Sequence, residues 1–185
     1  MKTAVLKKPD TQNIAYAALC TVLIAVCSWI SIPAQVPFTL QTFAVFLTCD
    51  LLGPAAILSV LLYLLLGAIG IPVFAGFSGG ISVLLGPTGG YLIGFIAIAL
   101  LLTGWRRLFG NRLKSAGMLI GLLICYLFGT LWFIWVYARG GNTVTFAVAL
   151  GWCVVPYIIP DLLKIALARL IAVRLRPALK GVHRT

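Results

Sequence analysis

Asp161 and Lys164 stand three positions apart in "IIPDLLK" (158–164), inside a long apolar run. Residues at i and i+3 share a helix face, so this carboxylate and ammonium can approach each other or converge on one object. Ionised groups in apolar surroundings are costly unless they are paired and hydrogen-bonded. Two chemistries fit the spacing. One is recognition of a polar guest that offers a donor beside an acceptor; the other is an ion pair that only ties helices together.

Composition defines those surroundings. The 185 residues are 62% hydrophobic and 9% charged, with a mean hydropathy of +1.13; in a soluble domain roughly a quarter of residues are charged. There is no Glu, and the acids are Asp10, Asp50 and Asp161. A chain this apolar with so little charged surface is covered by lipid. Strands alternating with polar lumen positions are absent, so the expectation is an all-α integral membrane protein, one transmembrane domain over residues 1–185, whose helices satisfy their own backbone groups.

The net charge of +11 is not a nucleic-acid footprint, because the basic residues gather at a few edges. Lys2, Lys7 and Lys8 precede the first apolar run; Arg106, Arg107, Arg112 and Lys114 surround a break; Arg174, Arg176, Lys180 and Arg184 close the chain. Cytoplasmic loops collect Lys and Arg in this way. An even number of crossings before residue 104 puts the first two clusters on one side. That requires the apolar stretch after the first span to fold at Gly53-Pro54. Six transmembrane helices are expected, about 14–32, 38–52, 54–70, 87–104, 116–138 and 144–173, with N and C termini cytoplasmic. The second and third fall short of the ~20 residues usually needed to cross. Residues 1–35 also have the basic start and apolar stretch of a signal peptide, but the run is nearly span length and a retained first helix is expected.

Enzymatic chemistry lacks parts. The single His183 sits in the basic tail, and no two acids are neighbours. No GxxxxGK[ST] loop is present to cradle a phosphate, so no ATPase activity is expected of this chain. Cys20, Cys27, Cys49, Cys125 and Cys153 form no CxxC and read as small packing residues, with no metal site.

Recognition or transport remains, carried by two segments. "SIPAQVPFTLQTF" (31–43) combines Pro33, Pro37 and Thr39 with the amides Gln35 and Gln41. "GAIGIPVFAGFSGGISVLLGPTGGYLIG" (67–94) is glycine-rich, yet apolar throughout and without charge. A disordered linker would be polar, so this is expected to be an ordered loop whose glycines let the backbone approach a ligand. Gly86, Gly90 and Gly94 recur every four residues, a spacing that permits close helix contact in lipid. Tyr91 reads either as an interfacial anchor or as a ligand-facing hydroxyl. The depth of Asp161 is open too. A last helix starting near Thr143 puts it roughly 27 Å along, near the inner side, where Lys164 would snorkel to headgroups. A start near Pro156 puts the pair in the outer turns, facing the loops.

In order, "VPFTLQTFAV" (36–45), "LLYLLLGAIGIPVFAGFSGG" (61–80), "LLGPTGGYLIGF" (84–95) and "PDLLKIALA" (160–168) resemble the BioY family, the biotin-binding S components of energy-coupling factor (ECF) vitamin transporters. The resemblance implies a six-helix subunit of the prokaryotic cytoplasmic membrane with an outward-facing pocket. It also implies partners, a transmembrane coupling protein and two cytoplasmic ATPases that use the ATP, so no cofactor is expected in this chain. Ala17, Thr21 and Ala25 would meet the coupling protein, with Thr21 where the stripe expects another Ala. Asp161 would accept from a ureido N–H and Lys164 donate to its carbonyl. Phe38, Phe74 and Phe77 would line the apolar middle, with Gln41 also at the site. Backbone N–H groups around Gly79 and Gly80, with Ser78 or Tyr91, would receive the valerate carboxylate. An S component for a different vitamin, or a structural membrane subunit locked by Asp161–Lys164, are the alternatives.

Overall fold

The computed structural model describes residues 11–34, 36–110 and 113–177. Gln35, Arg112, His183, Asp10, Lys2, Lys7, Lys8, Lys180 and Arg184 lie outside the described residues. The chain forms α1 (Thr11–Trp29), a two-stranded ribbon of β1 (Ser31–Ile32) and β2 (Phe38–Thr39), α2 (Gln41–Leu52), α3 (Ala56–Ala68), α4 (Ile81–Leu85), α5 (Gly89–Phe109), α6 (Lys114–Arg139), α7 (Phe146–Cys153) and α8 (Ile158–Leu175). The β1–β2 pairing is antiparallel, Ser31 opposite Thr39 and Ile32 opposite Phe38. It occupies the proline-bearing segment, where no helix can run through Pro33 and Pro37.

Five helical stretches among the described residues are long and apolar enough to cross a membrane: Thr11–Trp29, Gln41–Ala68, Gly89–Phe109, Lys114–Arg139 and Phe146–Leu175. The second is no straight rod. Gln41 Nε2 donates to Tyr63 Oη over 2.7 Å, whereas 22 residues of continuous helix would separate them by about 33 Å. The chain therefore folds back through the 3-10 turn Gly53–Ala55. Gly53 has φ +59°, a left-handed conformation for which the turn needs glycine. The two arms, of 12 and 13 residues, are each only about 20 Å long.

Outward positions are apolar, including Leu19, Leu65, Leu123, Leu163 and Leu170, as lipid contact requires. Inside, α5 and α6 make a broad contact at glycines. A Cβ at Gly90 would strike Trp132, one at Gly94 would reach Cys125 Sγ, and one at Gly129 would enter the Tyr91 ring. Small residues here let the backbones come close enough for dispersion and side-chain hydrogen bonds to hold the pair in lipid. The start of the last helix is settled by proline. The 3-10 turn Val155–Tyr157 separates α7 from α8, which begins at Ile158. Asp161 thus sits in the first turn of α8, where the helix dipole favours a negative charge.

Two levels of buried charge run through the bundle. At one, Asp50 near the end of α2 meets Lys114 of α6 at 3.2 Å, Arg169 of α8 at 2.8 Å, and Arg176 just past α8. At the other, Asp161 meets Lys164 at 2.8 Å. Along α2, eight residues from Thr42 to Asp50 span about 12 Å, and along α6 twelve from Lys114 to Tyr126 span about 18 Å. The same three helices carry both levels.

Candidate functional site

The Asp161 level opens on a cavity of about 170 Å³ between the β1–β2 ribbon, α2, the 70–88 loop, α5, α6 and α8. Its polar end is built by three helices around one carboxylate. From α2, Thr42 Oγ1 donates to Asp161 Oδ1 at 3.0 Å. From α6, Tyr126 Oη donates to Oδ2 at 2.5 Å. Within α8, Lys164 Nζ donates to Oδ1 at 2.8 Å and to Thr42 Oγ1 at 3.2 Å. The ammonium also lies 4.0 Å from the centroid of the Phe38 ring, a cation–π contact. Both charged side chains are nearly sealed, 5% and 7% exposed. Each charge thus has its hydrogen bonds in place, the condition under which a buried ion pair is tolerated.

That count leaves capacity on one atom. A carboxylate has about four acceptor positions; among the described residues Oδ1 takes two donors and Oδ2 takes one, and Asp161 lines the cavity. The lining is otherwise uncharged and mostly apolar, with Phe74, Val83, Leu92, Phe95 and Leu122. A flat polar ring with an N–H edge and an apolar continuation fits such a chamber.

Of the sequence-derived candidates, Asp161, Lys164, Gln41, Phe74, Ser78 and Tyr91 line the cavity. Phe38 acts one layer back, stacking on Tyr157 with centroids 6.0 Å apart. Tyr91 is buried and its hydroxyl pairs with Thr130 at 3.0 Å, so it is no interfacial anchor. Phe77 does not belong to the wall. Gly76 (φ +67°) and Phe77 itself (φ +54°) twist the loop so that the ring turns outward, 63% exposed, and stacks on Trp29 at 5.1 Å. Gly79 is not in the lining, and a Cβ there would strike the Ile71 carbonyl. Gly80 is outside it too, and gives its N–H to Gly67 O at 2.7 Å. The Ala17, Thr21, Ala25 stripe also needs correcting. All three are buried, and Thr21 Oγ1 bonds Ala17 O and Ser59 O of α3; the stripe packs within the chain, while Leu19, Val22 and Val26 face outward.

Thr42, Tyr126, Tyr157 and Thr88 also line the cavity and were missed by sequence reasoning. Tyr126 carried a usable signal, being a tyrosine in mid-helix far from any interface, where its hydroxyl must find a partner. The Tyr157 hydroxyl donates to Val36 O, closing the ribbon over α8.

A cavity with a single carboxylate in its described lining, inside a membrane bundle, can be compared with known proteins. The BioY family model matches residues 1–181. The chain belongs to the BioY family. Relatives include a probable biotin transporter BioY of Pyrococcus horikoshii, 43% identical over 167 residues (89% of this chain, 96% of that one). The biotin transporter BioY of Thermotoga maritima is 45% identical over 170 residues, with the same coverage. Among solved structures, the S-component for biotin from an ECF-type ABC transporter superposes with a TM-score of 0.80 at 26% identity, covering 90% of this chain and 92% of that one. As a BioY family member, this chain places Asp161 and Lys164 at the polar end of its cavity.

Proposed function

We propose that this chain captures biotin at a membrane and delivers it inward as the substrate-binding subunit of an ECF-type transporter. Family membership, the relatives named as biotin transporters and the likeness to a biotin S-component support the reading. The observation that carries it at atomic level is the Asp161 carboxylate on the cavity wall, its Oδ2 with a single described donor, beside the Lys164 ammonium. A ureido N–H would donate to Asp161. The ureido carbonyl would accept from Lys164, displacing its longer contact with Thr42. Phe74, Phe95 and Leu122 would enclose the apolar rings and chain.

In this reading the protein crosses the cytoplasmic membrane six times, α2 and α3 acting as two short crossings, with both termini cytoplasmic. The gathering of Arg106, Arg107, Lys114, Arg174 and Arg176 at helix ends away from the cavity supports that orientation. A separate coupling protein and two ATPases would supply the energy, and this chain would need no cofactor.

Calorimetry with biotin on the detergent-purified chain tests the proposal. Saturable binding that collapses in Asp161→Asn and Lys164→Ala is the expected result. Wild-type affinity in both folded variants removes the assigned roles, and no binding by the wild type removes the function.

A further inference from the structure

The cavity is electrically balanced and holds no unpaired cation among its described lining. Asp161 and Lys164 are the only charged residues in its described lining, and they neutralise each other. Lys164 Nζ is held by Asp161 Oδ1 and Thr42 Oγ1 and lies over the Phe38 ring, and in the reading above the ureido carbonyl takes over the contact with Thr42. Neighbouring donors are engaged inside the protein as well. Thr42 and Tyr126 donate to Asp161, Tyr157 to Val36 O, Ser78 to Ala75 O, and one N–H of the Gln41 amide to Tyr63. Tyr91 shares one hydrogen bond with Thr130. The lining donors that remain are all neutral: the hydroxyls of Thr39 and Thr88 and the second amide N–H of Gln41. Of the residues that sequence reasoning assigned to a carboxylate, Ser78 gives its hydroxyl to Ala75 O, Tyr91 is paired with Thr130, and Gly79 and Gly80 lie off the wall; none of them carries a charge.

A carboxylate drawn into such a chamber would lose its water without gaining a charged partner, which is strongly unfavourable. An uncharged ring that brings N–H donors meets the opposite situation. We propose that the cavity selects its guest by the neutral urea-like ring alone, the carboxylate staying at the mouth in water, so that ligands with a neutral acyl end bind as well as the acid. The proposal rests on the biotin reading above and narrows it to a substrate class: biotin together with its carboxyl-substituted derivatives.

Paired titrations of the purified chain with biotin and with biotinamide decide it. The expected dissociation constants agree within about tenfold, less than one charge-assisted hydrogen bond is generally worth. Tight biotin binding with biotinamide weaker by more than that overturns this inference and leaves the biotin assignment standing. Failure of both ligands to bind overturns the two together.

Discussion

Tyr126 reaches across from α6 to place its hydroxyl 2.5 Å from Asp161 Oδ2, while Thr42 and Lys164 hold Oδ1. One carboxylate is therefore aimed by three helices. The donors divide unequally, two on Oδ1 and one on Oδ2.

Tyr126→Phe keeps the ring's packing and removes one donor. Loss of a hydrogen bond to a charged group costs about 1.5–3 kcal/mol, so the variant is expected to unfold at lower temperature. It is also expected to bind biotin about tenfold more weakly, because the carboxylate is no longer held toward the cavity. Thermal melting and calorimetry on the same preparation check both; unchanged affinity would mean that aiming by Tyr126 is irrelevant to capture.

Removing one partner of the Asp161–Lys164 pair strands the other in a nearly sealed site, and such losses typically cost about 3–5 kcal/mol. The double variant Asp161→Asn/Lys164→Met leaves no lone charge and is expected to recover much of that stability without recovering biotin binding. A double-mutant cycle on melting and on affinity separates the two. Recovery of both would make the pair a helix lock and nothing more.

Asp50 is fully buried and is contacted by Lys114, Arg169 and Arg176. Asp50→Asn leaves three cations facing one another and is expected to destabilise the bundle by about 3–5 kcal/mol. The Asp161 level is about 12 Å away along α2. Affinity in the folded fraction is therefore expected to stay near wild type, which binding measured below the lowered transition temperature would show.

Gly129→Ala would drive a methyl into the Tyr91 ring at the α5–α6 contact, whereas Gly104 on α5 has open space around it. The first substitution is expected to cost about 1–3 kcal/mol through overpacking. Gly104→Ala is expected to be neutral or to stabilise by up to about 1 kcal/mol, as alanine is the better helix former. Comparative melting of the two proteins checks the contrast.

Membrane residence, helical architecture and the pairing of Asp161 with Lys164 were legible in the chain alone, because each follows from composition or from a spacing of a few residues. So was the family resemblance, carried by short ordered motifs. The start of α8 needed the fold: two prolines allowed several positions, and only the turn at Val155–Tyr157 put Asp161 at the cavity. Thr42 and Tyr126 stand 119 and 35 positions from Asp161. No local pattern shows which face of α2 or α6 turns toward α8; that depends on how whole helices rotate and pack. Phe77 teaches the same lesson in reverse. It lies three residues from Phe74 with the same side chain, yet two positive φ angles send it to the surface while Phe74 stays 1% exposed. Periodicity and charge act along the chain and can be read there, whereas the direction of a side chain is a property of the packed bundle.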